Sequence, residues 1–144
     1  MNTLYNSDFY GWTKTQAKLL REEKWETLDK LNLIEEIETL GRQERRELTN
    51  LLALLLGHLL KWQYQPEKRS NSWLATIREQ RTQINRILAD SPSLKSYLEE
   101  AFSLGYQDGI NLAVKETNLP YETFPENCHY AITQILETEF LPES

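Results

Sequence analysis

The sequence predicts an all-α fold, a single-domain antiparallel helical bundle of about five to six helices around a central apolar helix at about 42–64. Three observations carry that expectation. Apolar residues recur at i, i+4 and i+7 instead of alternating, which marks a helix face and not a half-buried strand. Five Gly and five Pro in 144 residues are too few for a sandwich or barrel cut by many turns. The breakers that do occur fall between the periodic stretches. At 40% hydrophobic and 26% charged, the composition is that of a folded domain, and 1–144 is long enough to bury one core.

The elements follow in order. Ser7 and Asp8 are N-cap candidates for a first helix to about Glu23, with Trp12, Leu19 and Leu20 inward. A second helix is expected from about Glu26 to Leu40 on the stripe Leu33, Ile37, Leu40. Gly41 then reads as a break, or as a close-packing point if the helix continues. The third runs from about Arg42 to Tyr64, with Leu48, Leu51, Leu52, Leu55 and Leu59 as its stripe. From Leu51 to Trp62 it is apolar almost all round, as in a helix surrounded by others. Pro66 ends it. Ser70 or Ser72 caps a fourth helix at about Trp73–Ala89, carried by Trp73, Ile77, Ile84 and Leu88. Ser91-Pro92 restarts the chain into a fifth helix to about Glu116, closed by Asn118 and Pro120. A short sixth helix is expected at about Glu126–Glu137.

The overall charge and the lone Cys128 narrow the setting. A net charge of −6 and a pI near 5.0 disfavour non-specific binding to nucleic acid or to an anionic membrane. The charge is uneven: Lys61–Leu88 is basic, whereas Ala89 onward is strongly acidic. One cysteine allows no internal disulfide, so a reducing, cytoplasmic compartment is expected. Met1–Tyr10 lacks the basic and apolar regions of a signal peptide. The longest apolar run, Leu51–Leu60, is about half the ~20 residues that a bilayer crossing needs.

Chemistry is sparse. A carboxylate di-metal bundle needs about four Asp or Glu and usually two Glu-x-x-His motifs. His58 and His129 are the only histidines, and neither follows a Glu by three, so no metal or cofactor is expected. Cys128 has no base beyond its neighbour His129, and no Gly-rich phosphate loop is present. More informative are polar residues on apolar faces. At about 100° per residue, Glu36 and Asp29 flank Leu33 and Leu40, His58 lies beside Leu51, Leu55 and Trp62, and Gln80 and Arg81 flank Ile77 and Ile84. Buried charges must be paired. Asp29, Glu36, His58, Gln80 and Arg81 are therefore a candidate buried polar network, fixing helix register or forming a site around Glu36, His58 and Arg81. Aromatic and basic residues interleave from Lys61 to Arg78, a pattern that can stack single-stranded nucleic acid but equally fits helix packing.

Several runs are specific enough to compare with a family. Tyr5-x-x-Asp8-Phe9-Tyr10-x-Trp12, Asn32-Leu33-Ile34-Glu35-Glu36-Ile37-Glu38-x-Leu40-Gly41 and His58-Leu59-Leu60-Lys61-Trp62-Gln63-Tyr64-Gln65-Pro66 lead. Ser72-Trp73-x-x-Thr76-Ile77-x-Glu79-Gln80-Arg81, Phe124-Pro125-x-x-Cys128 and Phe140-Leu141-Pro142 follow. Together the chain resembles the domain-of-unknown-function family numbered 29, a bacterial and mainly cyanobacterial family, over nearly its whole length. The resemblance implies an all-helical single domain and carries over no catalytic or binding residue. Family members often have Cys-Pro where this chain has Cys128-His129, which weakens the case for His129 as a site residue.

With no complete catalytic set, the expected function is a non-catalytic interaction or regulatory module. Its expected partner is a protein, or a second copy docking on apolar helix faces and the Gly105-x-x-x-Gly109 stripe. The alternative is an enzyme or a small-ligand- or metal-binding bundle with its site around Glu36, His58 and Arg81.

Overall fold

Helices supply every regular element among residues 3–143, the part of the chain that the computed structural model describes. In order they are α1 (Thr3–Ser7), α2 (Phe9–Arg21), α3 (Lys30–Tyr64), α4 (Asn71–Asp90), α5 (Leu98–Thr117) and α6 (Ile132–Ile135), with short 3-10 turns between. No strand occurs among the described residues, so the all-α expectation holds. Met1, Asn2 and Ser144 lie outside the described residues. The chain divides into two compact units, Met1–Gln43 and Glu44–Ser144.

In the first unit, Asp8 caps α2 by accepting the Gly11 N–H at 3.0 Å. A Cβ at position 11 would meet the Asp8 carboxylate at 2.4 Å, so glycine is what lets the cap close. On α2, Trp12 and, one turn on, Gln16 are buried. The Trp12 ring packs edge-on against Tyr5 of α1 at 4.8 Å and stacks on Phe9 at 5.6 Å. The helix ends in a Schellman motif: Lys24 N–H donates to Leu19 O at 2.9 Å and Glu23 N–H to Leu20 O at 3.1 Å. Glu23 takes the left-handed position (φ 57°) that glycine usually fills.

Two expectations fail here. The helices expected at 26–40 and 42–64 are one helix, α3, preceded by a 3-10 turn at Trp25–Thr27. Gly41 neither breaks it nor packs closely, since a Cβ there would meet nothing within 4 Å. One glycine costs a helix only about 1 kcal/mol, too little to stop 35 residues. The residues expected inward also differ: Leu20, Ile37 and Leu40 are exposed and Leu33 is only half-buried.

The second unit is built on the later part of α3, buried at Leu48, Leu52 and continuously from Leu55 to Lys61. α5 runs parallel to it. A Cβ on Gly105 would lie 3.0 Å from Leu52 Cβ, and one on Gly109 would lie 3.0 Å from Gly57 N and 3.1 Å from Ala53 O. Those contacts advance together along both helices, and Lys61 meets Glu116 further on. The stripe Ala101, Gly105, Gly109, Ala113 brings the two backbones into contact, so Gly105-x-x-x-Gly109 is used inside the chain and is not open to a second one. α4 returns antiparallel to α3, with Ser70 accepting the Trp73 N–H at 3.2 Å as its N-cap. Its buried side chains are Ile77, Arg81, Ile84 and Leu88. Ser91-Pro92 opens a 3-10 stretch, Pro92–Tyr97, before α5 begins, and Asn118 in the left-handed region ends α5. The short sixth helix expected at about 126–137 shrinks further, to the single turn α6. The carbonyls of Ile135, Thr138 and Phe140 accept hydrogen bonds from Arg81.

Candidate functional site

Of the five polar residues that the sequence singles out, Asp29, Glu36, His58 and Arg81 are hydrogen-bonded within their own unit. In the first unit, Asp29 accepts Trp12 Nε1–H at 2.9 Å and Asn32 Nδ2–H at 2.8 Å, and its own N–H donates to Gln16 Oε1 at 2.9 Å. Glu36 accepts the Tyr5 hydroxyl at 2.5 Å. That bond, with the surrounding carboxylates, pushes the Tyr5 hydroxyl up to about 12. These bonds fasten α1 and α2 to one side of α3's first turns.

In the second unit, His58 places Nδ1 3.0 Å from the Leu54 carbonyl. Nδ1 must carry the proton to make that bond. Burial holds the imidazole below its ordinary value of 6.5, against the pull of the Leu54 carbonyl. Arg81, only 4% exposed, donates from Nε to Ile135 O at 2.6 Å, from Nη1 to Thr138 O at 2.9 Å and from Nη2 to Phe140 O at 2.8 Å. Desolvation lowers its pKa. Its hydrogen bonds thus pin the C-terminal segment. Gln80 is half-buried, and its Oε1 is buried without a hydrogen-bond partner. The hydrogen bonds of His58 and Arg81 go to backbone carbonyls and do not join the two side chains to each other.

Sequence reasoning missed the most buried charge pair. Lys61 is 4% exposed, donates to Glu116 Oε1 at 2.5 Å and lies 4.4 Å from the centre of the Trp73 ring. A lysine inside the apolar stretch Leu59–Trp62 was the available signal; its partner, 55 residues on, was not. Nearby, Arg69 sits 4.9 Å over the Trp62 ring and donates to Trp62 O at 2.8 Å. Trp62 and Trp73, the rings of the basic-aromatic segment, therefore already hold cations of their own chain. Tyr130 donates to Gln63 Oε1 and Tyr106 to Pro125 O, both at 2.5 Å. Cys128 points its thiol at Tyr130 O, 3.6 Å away, and burial raises its pKa, the opposite of an activated nucleophile. Among the described residues no three His, Cys, Asp or Glu converge as a metal would need.

The feature that stands apart is apolar. On the first turns of α3, Leu31, Ile34, Ile37 and Leu40 are 82%, 53%, 65% and 63% exposed. At about 100° per residue the row winds around the helix: Leu31 and Ile34 face away from Asp29, Asn32 and Glu36, Ile37 lies on the flank, and Leu40 lies beside Asp29. An exposed contiguous apolar patch of this kind marks an interaction surface more often than a catalytic one.

Fold and side chains together define a helical-bundle protein with a pinned C-terminal segment and one open apolar helix face. The chain belongs to the family Domain of unknown function DUF29, whose profile matches residues 4–141. Neither the curated proteins nor the solved structures hold a match to it. Among the described residues no helix is long and apolar enough to cross a membrane.

Proposed function

We propose that this chain is a non-catalytic, cytoplasmic interaction module that docks a protein through the open face of α3's first turns. The observation that carries the reading is the row Leu31, Ile34, Ile37 and Leu40, left in solvent along a stretch of α3 that is fastened to α1 and α2 through Glu36 and Asp29. Burying one such side chain is worth about 1.5–3 kcal/mol. Four of them are a strong reason to bind. The polar groups that an enzyme would need free are bonded to carbonyls, to Tyr5 and to Trp12. The test is capture by immobilised protein, wild type beside Ile34→Glu/Ile37→Glu. A protein retained reproducibly by wild type and lost from the variant supports the reading. Identical captures on both, or a turnover that survives the variant, refute it.

A further inference from the structure

We propose that the occupant of this face is a second copy of the same chain, its α3 lying antiparallel across the first; this rests on the interaction reading above. At about 100° per residue, Lys30, Ile34, Ile37 and Gly41 lie along the middle of the open side. Leu31 and Glu38 border it on one flank, Leu33 and Leu40 on the other.

The face is complementary to itself in one orientation. Antiparallel pairing about a two-fold axis sets Ile34 against the second copy's Ile37, and Leu33 against its Leu40. Lys30 then lies across Gly41, with its ammonium beside Glu38. Parallel pairing would set Lys30 on Lys30 and Glu38 on Glu38, and like charges facing each other are destabilising. A two-fold interface must be self-complementary in this way.

Gly41 is the second observation. It sits inside a 35-residue helix, about a third of the way along, serves no turn, and a Cβ there would touch nothing within 4 Å. A glycine with no neighbour in its own chain leaves a gap in which another chain's side chain fits, and Lys30 of a second copy reaches it. The third observation is the first unit's own packing. Trp12 is its one buried hydrophobic side chain among the described residues, beside eight exposed large ones. Units of this size usually need further burial to be stable. With one cation and one anion per copy, the face is balanced. That suits its own copy better than a strongly basic partner or an anionic lipid surface.

The experiment is analytical ultracentrifugation of the full chain across micromolar concentrations, joined to zero-length carbodiimide cross-linking of mixed isotope-labelled and unlabelled protein. A dimer is expected, with a mixed-isotope peptide linking Lys30 to Glu38. Ile34→Glu/Ile37→Glu should raise the dissociation constant at least about 100-fold while the helical circular dichroism stays as in wild type, because both side chains are exposed in the single chain. Lys30→Glu should weaken the dimer, and Lys30→Glu/Glu38→Lys should restore it. A wild-type monomer at every concentration overturns the proposal, as does a dimer indifferent to the Ile34/Ile37 pair or to the charge reversal. If a monomer still captures another protein through the stripe, only the second copy is refuted. If a monomer captures nothing, the interaction reading falls with it.

Discussion

The two units of this chain spend the same helical pattern differently. In the second, Leu48, Leu52, Leu55 and Leu59 repeat every three to four residues and all are fully buried. In the first, Leu33, Ile37 and Leu40 repeat with the same spacing, yet none is buried. The second unit is held by apolar burial and by close contact of α3 and α5 through glycine and alanine. The first is held by an aromatic trio, Tyr5, Phe9 and Trp12, and by polar bonds from Glu36, Asp29 and Gln16. Periodicity therefore identifies an apolar face and is silent about what covers it.

The contrast is broken most forcefully at Arg81. Replacing it with Met keeps the side chain's bulk but leaves the carbonyls of Ile135, Thr138 and Phe140 without their donor. Loss of a buried, charge-assisted anchor of this kind costs about 4 kcal/mol, read as a lower denaturant midpoint. Leu31→Ala in the first unit should change stability by no more than about 0.5 kcal/mol, measured below any self-association. If the two substitutions cost alike, the division of labour between the units is wrong.

That asymmetry also explains what the sequence disclosed. The helix at 42–64 was legible because its leucines surround it, and the caps at Asp8 and Ser70 because capping is local chemistry. Gly41 misled because a break and an unoccupied gap look the same in one dimension. The anchoring of the C-terminal segment was hidden because its donor, Arg81, lies 54 to 59 residues away. Of the candidate site, the polar residues were found and their partners were not: Tyr5 meets Glu36 across 31 residues, and Lys61 meets Glu116 across 55. The open face was read as core, since amphipathic spacing alone cannot distinguish a covered stripe from a waiting one.

Glycine sharpens the comparison at a smaller scale. Gly109→Ala gains about 1 kcal/mol of helix propensity, but its Cβ would press on the backbone of Gly57 and Ala53, atoms that cannot step aside. Overpacking of that kind costs about 1–3 kcal/mol, so a net loss of about 1 kcal/mol is expected. Gly41→Ala meets open space and should stabilise the isolated chain by about 1 kcal/mol. The same change thus carries opposite signs in the two units, read by thermal melts at low protein concentration. Two losses would mean that Gly41 is already in close contact.

The smallest effect is expected from His58, and it depends on pH. Burial lowers its folded pKa from the ordinary 6.5, so between those two values the unfolded chain binds more protons than the folded one. Stability contributed by the neutral imidazole is complete above 6.5 and is lost as the pH falls from there toward the folded value. The slope cannot exceed about 1.4 kcal/mol per pH unit for a single proton. Lys61 adds to the lowering, while Glu116 and the Leu54 carbonyl oppose it. Denaturant midpoints of wild type and His58→Gln, compared from pH 7.5 to about 5, separate this residue from the carboxylates common to both. Wild type should lose ground to the variant only below about 6.5. Parallel curves would show that His58 protonates as readily in the folded chain as in the unfolded one, and that the second unit's core admits charge where its burial says it should not.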